Sequence, residues 1–185
     1  MSWANTRIAA RWLAVVALAA LTSGCFQPMY AEHADGTPGL REKLAGVELP
    51  PVNKPNASQE ARIGVEIRNA LAFKLYGTAT GAAPTHRLEL RFTTSRSSLI
   101  VNPATGLPTT ETVGLDAQYN LIEVATNKSV MTGTTFSRVS YDVPGVLNMQ
   151  RFARTRALQD AEDRAAKEIA DNIQTRLAAY FVSGT

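Results

Sequence analysis

Residues 87–93 read Arg-Leu-Glu-Leu-Arg-Phe-Thr, RLELRFT. Successive side chains of an extended strand point to opposite faces of its sheet. Leu88, Leu90 and Phe92 therefore share one face, and Arg87, Glu89 and Arg91 share the other. One side is meant for a core and the other for a polar environment. The stretch predicts an antiparallel sheet with one buried face.

Downstream, Asn102-Pro103-Ala104-Thr105-Gly106 carries turn chemistry. Val113 to Leu121 alternates again, with Val113, Leu115, Ala117, Tyr119 and Leu121 inward and Asp116, Gln118 and Asn120 outward. Thr126-Asn127-Lys128 predicts a tight hairpin into a last strand over Met131 to Tyr141. That strand is rich in Thr and Ser, and its alternation leaves both faces open as the buried one. Pro144-Gly145 breaks it. From about Asn148 to Phe181 the pattern predicts one long helix. Met149, Ala153, Ala157, Ala161, Ala165, Ile169, Ile173, Leu177 and Phe181 recur every fourth residue. Such a row drifts around a straight helix, so Phe152, Ala166, Ala170 and Tyr180 are expected to share the packing. Asp160 with Arg164 and Asp163 with Lys167 are expected i,i+4 ion pairs.

Upstream, Asn56 or Ser58 caps a helix running to about Tyr76, with Gly77 as its stop. Ile63, Ile67, Ala70, Leu71 and Leu75 form its apolar stripe, and Arg62, Glu66 and Arg68 lie off it. Ala45 to Leu49 is a short strand candidate ended by Pro50-Pro51. The order β-α-β-β-β-α predicts an α+β fold: a four-stranded mixed sheet with two helices packed on one face. The first two strands pair in parallel through a right-handed crossover.

Phe26 to Lys43 holds Gly36, Pro38 and Gly39 without sustained periodicity, so it reads as a loop-like tether of about 60 Å maximal reach. Before it stand Arg7 and Arg11, the apolar run Trp12 to Leu21, and small residues through Gly24. That order fits a secretory signal peptide over residues 1–24, too short to span a bilayer. Cys25, the single cysteine, follows directly. Thr22-Ser23-Gly24-Cys25 resembles a bacterial lipobox, so Cys25 is the expected lipid attachment point; a free thiol and an intermolecular disulfide are the bland alternatives. Several acyl chains hold a protein on a membrane where one is marginal. Phe26, rather than Asp, after the cysteine points to the outer membrane. The predicted organisation is residues 1–24 cleaved, 25–43 a lipidated tether, and 44–185 a single domain.

Charge narrows the partners. The chain has 19 basic and 16 acidic residues, and without Arg7 and Arg11 the balance is 17 to 16. That is no footprint for a nucleic-acid binder. Catalytic motifs are missing: no HExxH, GxSxG, Walker sequence or glycine fingerprint. His33 and His86 stand alone, and Ser95, Ser97 and Ser98 have no companion base. No catalytic residue, metal ligand or cofactor is expected beyond covalent lipid on Cys25. The basic residues fall in two groups: Arg87, Arg91 and Lys128 toward one end of the sheet, and Arg96, Arg138 and the helix start with Arg151, Arg154 and Arg156 toward the other. Pairing with nearby acids is the plain reading of the latter, and an anionic partner the sharper one.

The chain resembles the LptE family of lipopolysaccharide-assembly lipoproteins, alphaproteobacterial type. Gly24-Cys25-Phe26-Gln27-Pro28-Met29-Tyr30 is similar to the family's "CGF(R/Q)PLY" start, with Phe26 standing directly after the cysteine. Arg68-Asn69-Ala70-Leu71, Tyr119-Asn120-Leu121, Asp160-Ala161-Glu162-Asp163-Arg164-Ala165-Ala166 and Ile173-Gln174-Thr175-Arg176-Leu177 also fit. The resemblance implies a non-enzymatic plug in the lumen of an LptD-type outer-membrane β-barrel that helps insert lipopolysaccharide. Arg87, Arg91 and Lys128 become candidate contacts to its acidic groups. The alternatives are an accessory lipoprotein of an envelope lipid-transport ABC system and, third, a periplasmic hydrolase.

Overall fold

The computed structural model describes residues 38–77, 83–101, 103, 106, 108–143 and 150–184. Cys25, the signal segment and most of the tether lie outside them, as do Met149 and the turn residues Asn102, Ala104 and Thr105. The elements below belong to a compact unit that starts at Leu40. Its elements are α1 (Leu40–Ala45), β1 (Val47–Glu48), α2 (Gln59–Tyr76), β2 (His86–Val101), β3 (Pro108–Glu123), β4 (Lys128–Asp142) and α3 (Gln150–Ser183). The sheet order is β1-β2-β3-β4, with β1 parallel to β2 and the rest antiparallel. The expected α+β arrangement is present.

The helix α1 corrects the loop reading of residues 40–43. Leu40 and Leu44, one turn apart, are both buried in the core. Six residues are too few for periodicity to register, and the burial comes from tertiary contact. β1 is also shorter than the expected strand, at two residues.

Helix α2 follows its sequence signals closely. Ser58 is the N-cap, its hydroxyl accepting from the Ala61 N–H at 3.0 Å. Gly77 closes the helix at φ 60°, where its N–H donates to the Phe73 carbonyl at 2.8 Å. A side chain there would strain the left-handed backbone. The stripe of Ile63, Ile67, Leu71 and Leu75 faces the sheet and is buried.

The inward row of β3 is buried throughout, and Leu88 and Phe92 of β2 join it. β4 resolves its open face: Thr135, Ser137 and Tyr141 are the buried ones. A polar inward row is tolerable because Ser137 donates to the Glu168 carboxylate of α3 at 2.6 Å. The main core joins these residues to α2 and to Ala165, Ala166, Ile169, Ala170, Ile173, Leu177 and Ala178 of α3. A second, smaller core gathers Val113, Tyr141 and Ala161.

The first turns of α3 depart from expectation. Phe152 is 83% exposed and Ala153 is also exposed, so neither shares the packing. Burial along the alanine row sets in at Ala157 and is complete from Ala161. Of the two expected ion pairs on this helix, Asp160–Arg164 is present at 2.8 Å. Asp163 turns instead to Arg62 of α2, at 2.7 Å. A guanidinium held at two points by Glu162 and Asp163 together gives the better geometry.

A candidate interaction face and two ionic clusters

The three helices all contribute to the core on the inward face of the sheet, and among the described residues the other face carries no covering element. Its rows follow from the register. Arg87, Glu89, Arg91, Thr93 and Ser95 of β2 pair with Ile122, Asn120, Gln118, Asp116 and Gly114 of β3. β3 in turn pairs with Thr132, Thr134, Phe136 and Arg138 of β4. The surface is mostly one of amides, hydroxyls and charges, with the 66% exposed Phe136 and the partly buried Ile122 as large apolar groups.

Arg138 crosses this face. Its guanidinium donates to both Asp116 carboxylate oxygens at 2.9 Å and stacks beside Phe136, 5.7 Å from the ring centroid. The crossing needs Gly114: a Cβ there would meet Ser95 Oγ and the Arg138 side chain.

The three candidate lipopolysaccharide contacts do not form one set. Arg87 and Arg91 stand in the same open-face row, four residues apart, or about 13 Å. Arg87 pairs with Glu48 at 3.0 Å, both 44% exposed, while Arg91 has no ion pair among the described residues. Lys128 lies opposite Glu123, which pairs with His86 in the inward row. A register shift between Leu121 and Ile122 changes the row in which β4 residues fall. Periodicity read from Met131 alone does not reveal that shift.

The ionic clusters sit at the far end of the inward face. Glu162 of α3 is 2% exposed, yet three groups reach it: Arg62 and Gln59 of α2, and Arg96 of β2 at 3.5 Å. The neighbouring acids raise the Arg62 pKa against the opposing effect of burial. Nearby, the Tyr141 hydroxyl donates to Glu111, whose other oxygen accepts from Arg154 at 2.7 Å. Burial first, then the hydrogen bond to Glu111, pushes the Tyr141 pKa up to about 12. These clusters were not legible as sites, because their members lie roughly 30–100 residues apart in sequence. Arg62 was read simply as off-stripe.

His86 accepts an edge-to-face contact from Phe181, with ring centroids 5.1 Å apart, and its Nδ1 meets Thr85 Oγ1 at 2.9 Å. Burial lowers its pKa, Glu123 opposing. It is a packed end-of-strand residue. Among the described residues no helix is long and apolar enough to cross a membrane, and no acid, His or Cys group clusters to hold a metal.

Comparison with known proteins matches the family model described as LptE, lipopolysaccharide-assembly, over residues 44–177. No curated protein matches. Among solved structures, a candidate lipoprotein from Caulobacter crescentus is similar at 21% identity and TM-score 0.59, covering 77% of this chain and 96% of that one. Rare lipoprotein B from Shewanella oneidensis is similar at 16% identity and TM-score 0.52, covering 74% and 95%. At these identities the likeness speaks for the fold.

Proposed function

The chain belongs to the LptE family of lipopolysaccharide-assembly proteins, and from that premise we propose that it is a lipid-anchored outer-membrane lipoprotein that plugs an LptD-type β-barrel, assists its assembly and takes part in inserting lipopolysaccharide into the outer leaflet. The observation that carries this reading is the uncovered polar sheet face. Barrel lumens are lined by polar residues, and a plug must present polar groups to them. The rows of Gln118, Asn120, Thr132 and Thr134 are of that kind.

In this reading residues 1–24 are a cleaved signal peptide, Cys25 carries diacylglycerol and a further acyl chain, and the segment after it tethers the domain. The role is binding and assembly, with no catalysis and no cofactor. Mass spectrometry of the mature N-terminus tests the anchor: an unmodified Cys25 or a retained signal segment refutes it.

Photo-crosslinking residues placed at Gln118 and Thr134 test the plug. Adducts in cells should contain a large outer-membrane barrel. Adducts containing only subunits of an ABC transporter would move the chain to the accessory-lipoprotein reading. For lipopolysaccharide contact we assign Arg91 first, since it is the open-face cation without an ion pair, with Arg87 beside it and Lys128 as an approach from the hairpin end. If charge reversal of all three leaves lipopolysaccharide binding and outer-membrane permeability unchanged, this contact set is wrong.

A further inference from the structure

The sheet has two long edges, and they are finished differently. On β2 the pairing with β3 fixes which backbone groups face outward. The Val124 N–H donates to the Thr85 carbonyl, so odd residues of β2 address β3 and even residues address the edge. At the start and middle of that edge some of these groups have partners. The His86 N–H donates to the Gly46 carbonyl at 3.1 Å, and the Phe92 carbonyl accepts from Lys54 Nζ at 2.9 Å.

The same reasoning applies to β4. The Val143 N–H donates to the Thr109 carbonyl at 2.8 Å, so the odd residues of β4 address β3. Thr132, Thr134, Phe136, Arg138 and Ser140 therefore direct both N–H and C=O to a free edge. Among the described residues no strand lies beyond β4 in the sheet. Arg164 reaches the Ser140 carbonyl at 3.5 Å, a long contact. The strand holds no proline, and its one register shift lies at its start, before Met131. Edges of this length are usually blunted by such devices.

We propose that the free edge of β4, between Thr132 and Ser140, receives an extended peptide strand from a partner protein, with an acidic side chain of that strand held by Arg176 beside Gly133. The proposal stands independently of the barrel reading.

Geometry selects a lone strand over a second copy of this chain. α3 lies beneath β4, bound through Glu168 to Ser137 and through Arg164 to Ser140. A second copy added edge to edge would place its β4 about 4.8 Å away. Its α3 would then approach the first α3 well inside the 8–10 Å that packed helices require. A single added strand brings no helix.

Charge selects the side chain. Arg176 borders the same depression as Tyr119, Thr132, Gly133 and Thr134, with Glu89 and Arg91 of β2 also on its rim, and Arg176 has no ion pair among the described residues. Gly133 makes room for the Tyr119 hydroxyl, which a Cβ there would overlap. That hydroxyl is buried without a hydrogen-bond partner among the described residues. Arg176 and Arg91 together outweigh Glu89, so the charge the depression still lacks is a carboxylate. Strand addition of this type takes its affinity from main-chain bonds and its specificity from alternate side chains.

The test is residue-resolved amide exchange on the full chain, with and without the acetylated synthetic peptide Thr-Val-Glu-Val-Thr-Val-Thr. The amides of Thr132, Thr134, Phe136 and Arg138 should slow at least tenfold, while β2 edge amides stay unchanged. Alternate N-methylation of the peptide should abolish the effect. Lysine in place of its glutamate, or Arg176→Glu in the protein, should weaken binding about tenfold; Arg176→Lys should keep it. Unchanged exchange at the four amides overturns the proposal, as does equal protection by the N-methylated peptide. Protection that grows with protein concentration alone also overturns it, because the edge then belongs to a homodimer.

Discussion

The two ends of the inward face are built from different materials. At the hairpin end, α2 and α3 bring Ile67, Leu71, Leu75, Ile169, Ile173 and Leu177 onto Leu88, Leu121 and Tyr119. At the far end the apolar cluster shrinks to Val113, Tyr141 and Ala161, and buried acids with arginine partners take its place. The apolar end depends on area and packing density, which tolerate salt and pH. The ionic end depends on complete partnering, because a buried charge left alone is costly while a fully paired one is close to neutral. The two ends should therefore fail under different insults.

The largest expected effect is at the ionic end. Arg62→Ala leaves the 2% exposed Glu162 with Gln59 and only the 3.5 Å contact to Arg96, and unfolding in urea should show a loss of about 3–5 kcal/mol. If Arg62→Ala costs under about 1 kcal/mol, the contrast between the ends collapses. Leu177→Ala at the apolar end should cost about 2–5 kcal/mol, depending on how far the cavity collapses. Its cost should be the same at low and high salt, unlike that of Arg62→Ala.

Alkali should act through two tyrosines whose pKa burial raises, Tyr141 at the ionic end and Tyr76 at the hairpin end. The folded pKa of Tyr141 is raised to about 12 from an ordinary 10. The unfolded chain ionises first, so stability holds below pH 10 and falls as pH rises toward 12. Tyr141→Phe should remove its share of that slope in a pH series of denaturant midpoints, leaving the share of Tyr76, at a cost of about 1–3 kcal/mol at neutral pH for leaving Glu111 short of a donor. The smallest effect belongs to acid and the hairpin end. His86 has a lowered folded pKa, so the unfolded state takes up its proton first as pH falls below about 6.5. His86→Phe should flatten the part of the acid slope that lies just below pH 6.5. An unchanged slope would mean that the native chain protonates His86 freely.

The same contrast explains what could be read in advance. The alternation of RLELRFT and of Val113 to Leu121 reports burial directly, because local extended geometry fixes the face of every side chain. The capping of α2 by Ser58 and Gly77 is equally local. The ionic end is tertiary: Arg62 meets Glu162 across two helices, and no spacing within either helix signals it. Phe152 misled for a related reason. An i+4 row shows where a helix could pack, and the sheet's inward apolar surface ends before the helix does. The candidate cations suffered from the register shift near Ile122, which moved Lys128 out of the row of Arg87 and Arg91.

The lengths of the elements have a dimensional consequence. β4 has 15 residues and α3 has 34, so each is about 50 Å long. The apolar band of an outer-membrane barrel is only about 25 Å tall. A rod of this length standing along a barrel axis must leave about half of itself outside the membrane's thickness. The apolar and ionic ends would then occupy different surroundings, one inside a narrow polar bore and the other at its mouth or in the periplasm. Because a strand residue advances about 3.3 Å and a helix residue 1.5 Å, lengthening the rod by two residues of β4, the least that keeps its faces, requires about four in α3. Insertions in this protein must therefore come in matched sets or fall in its turns.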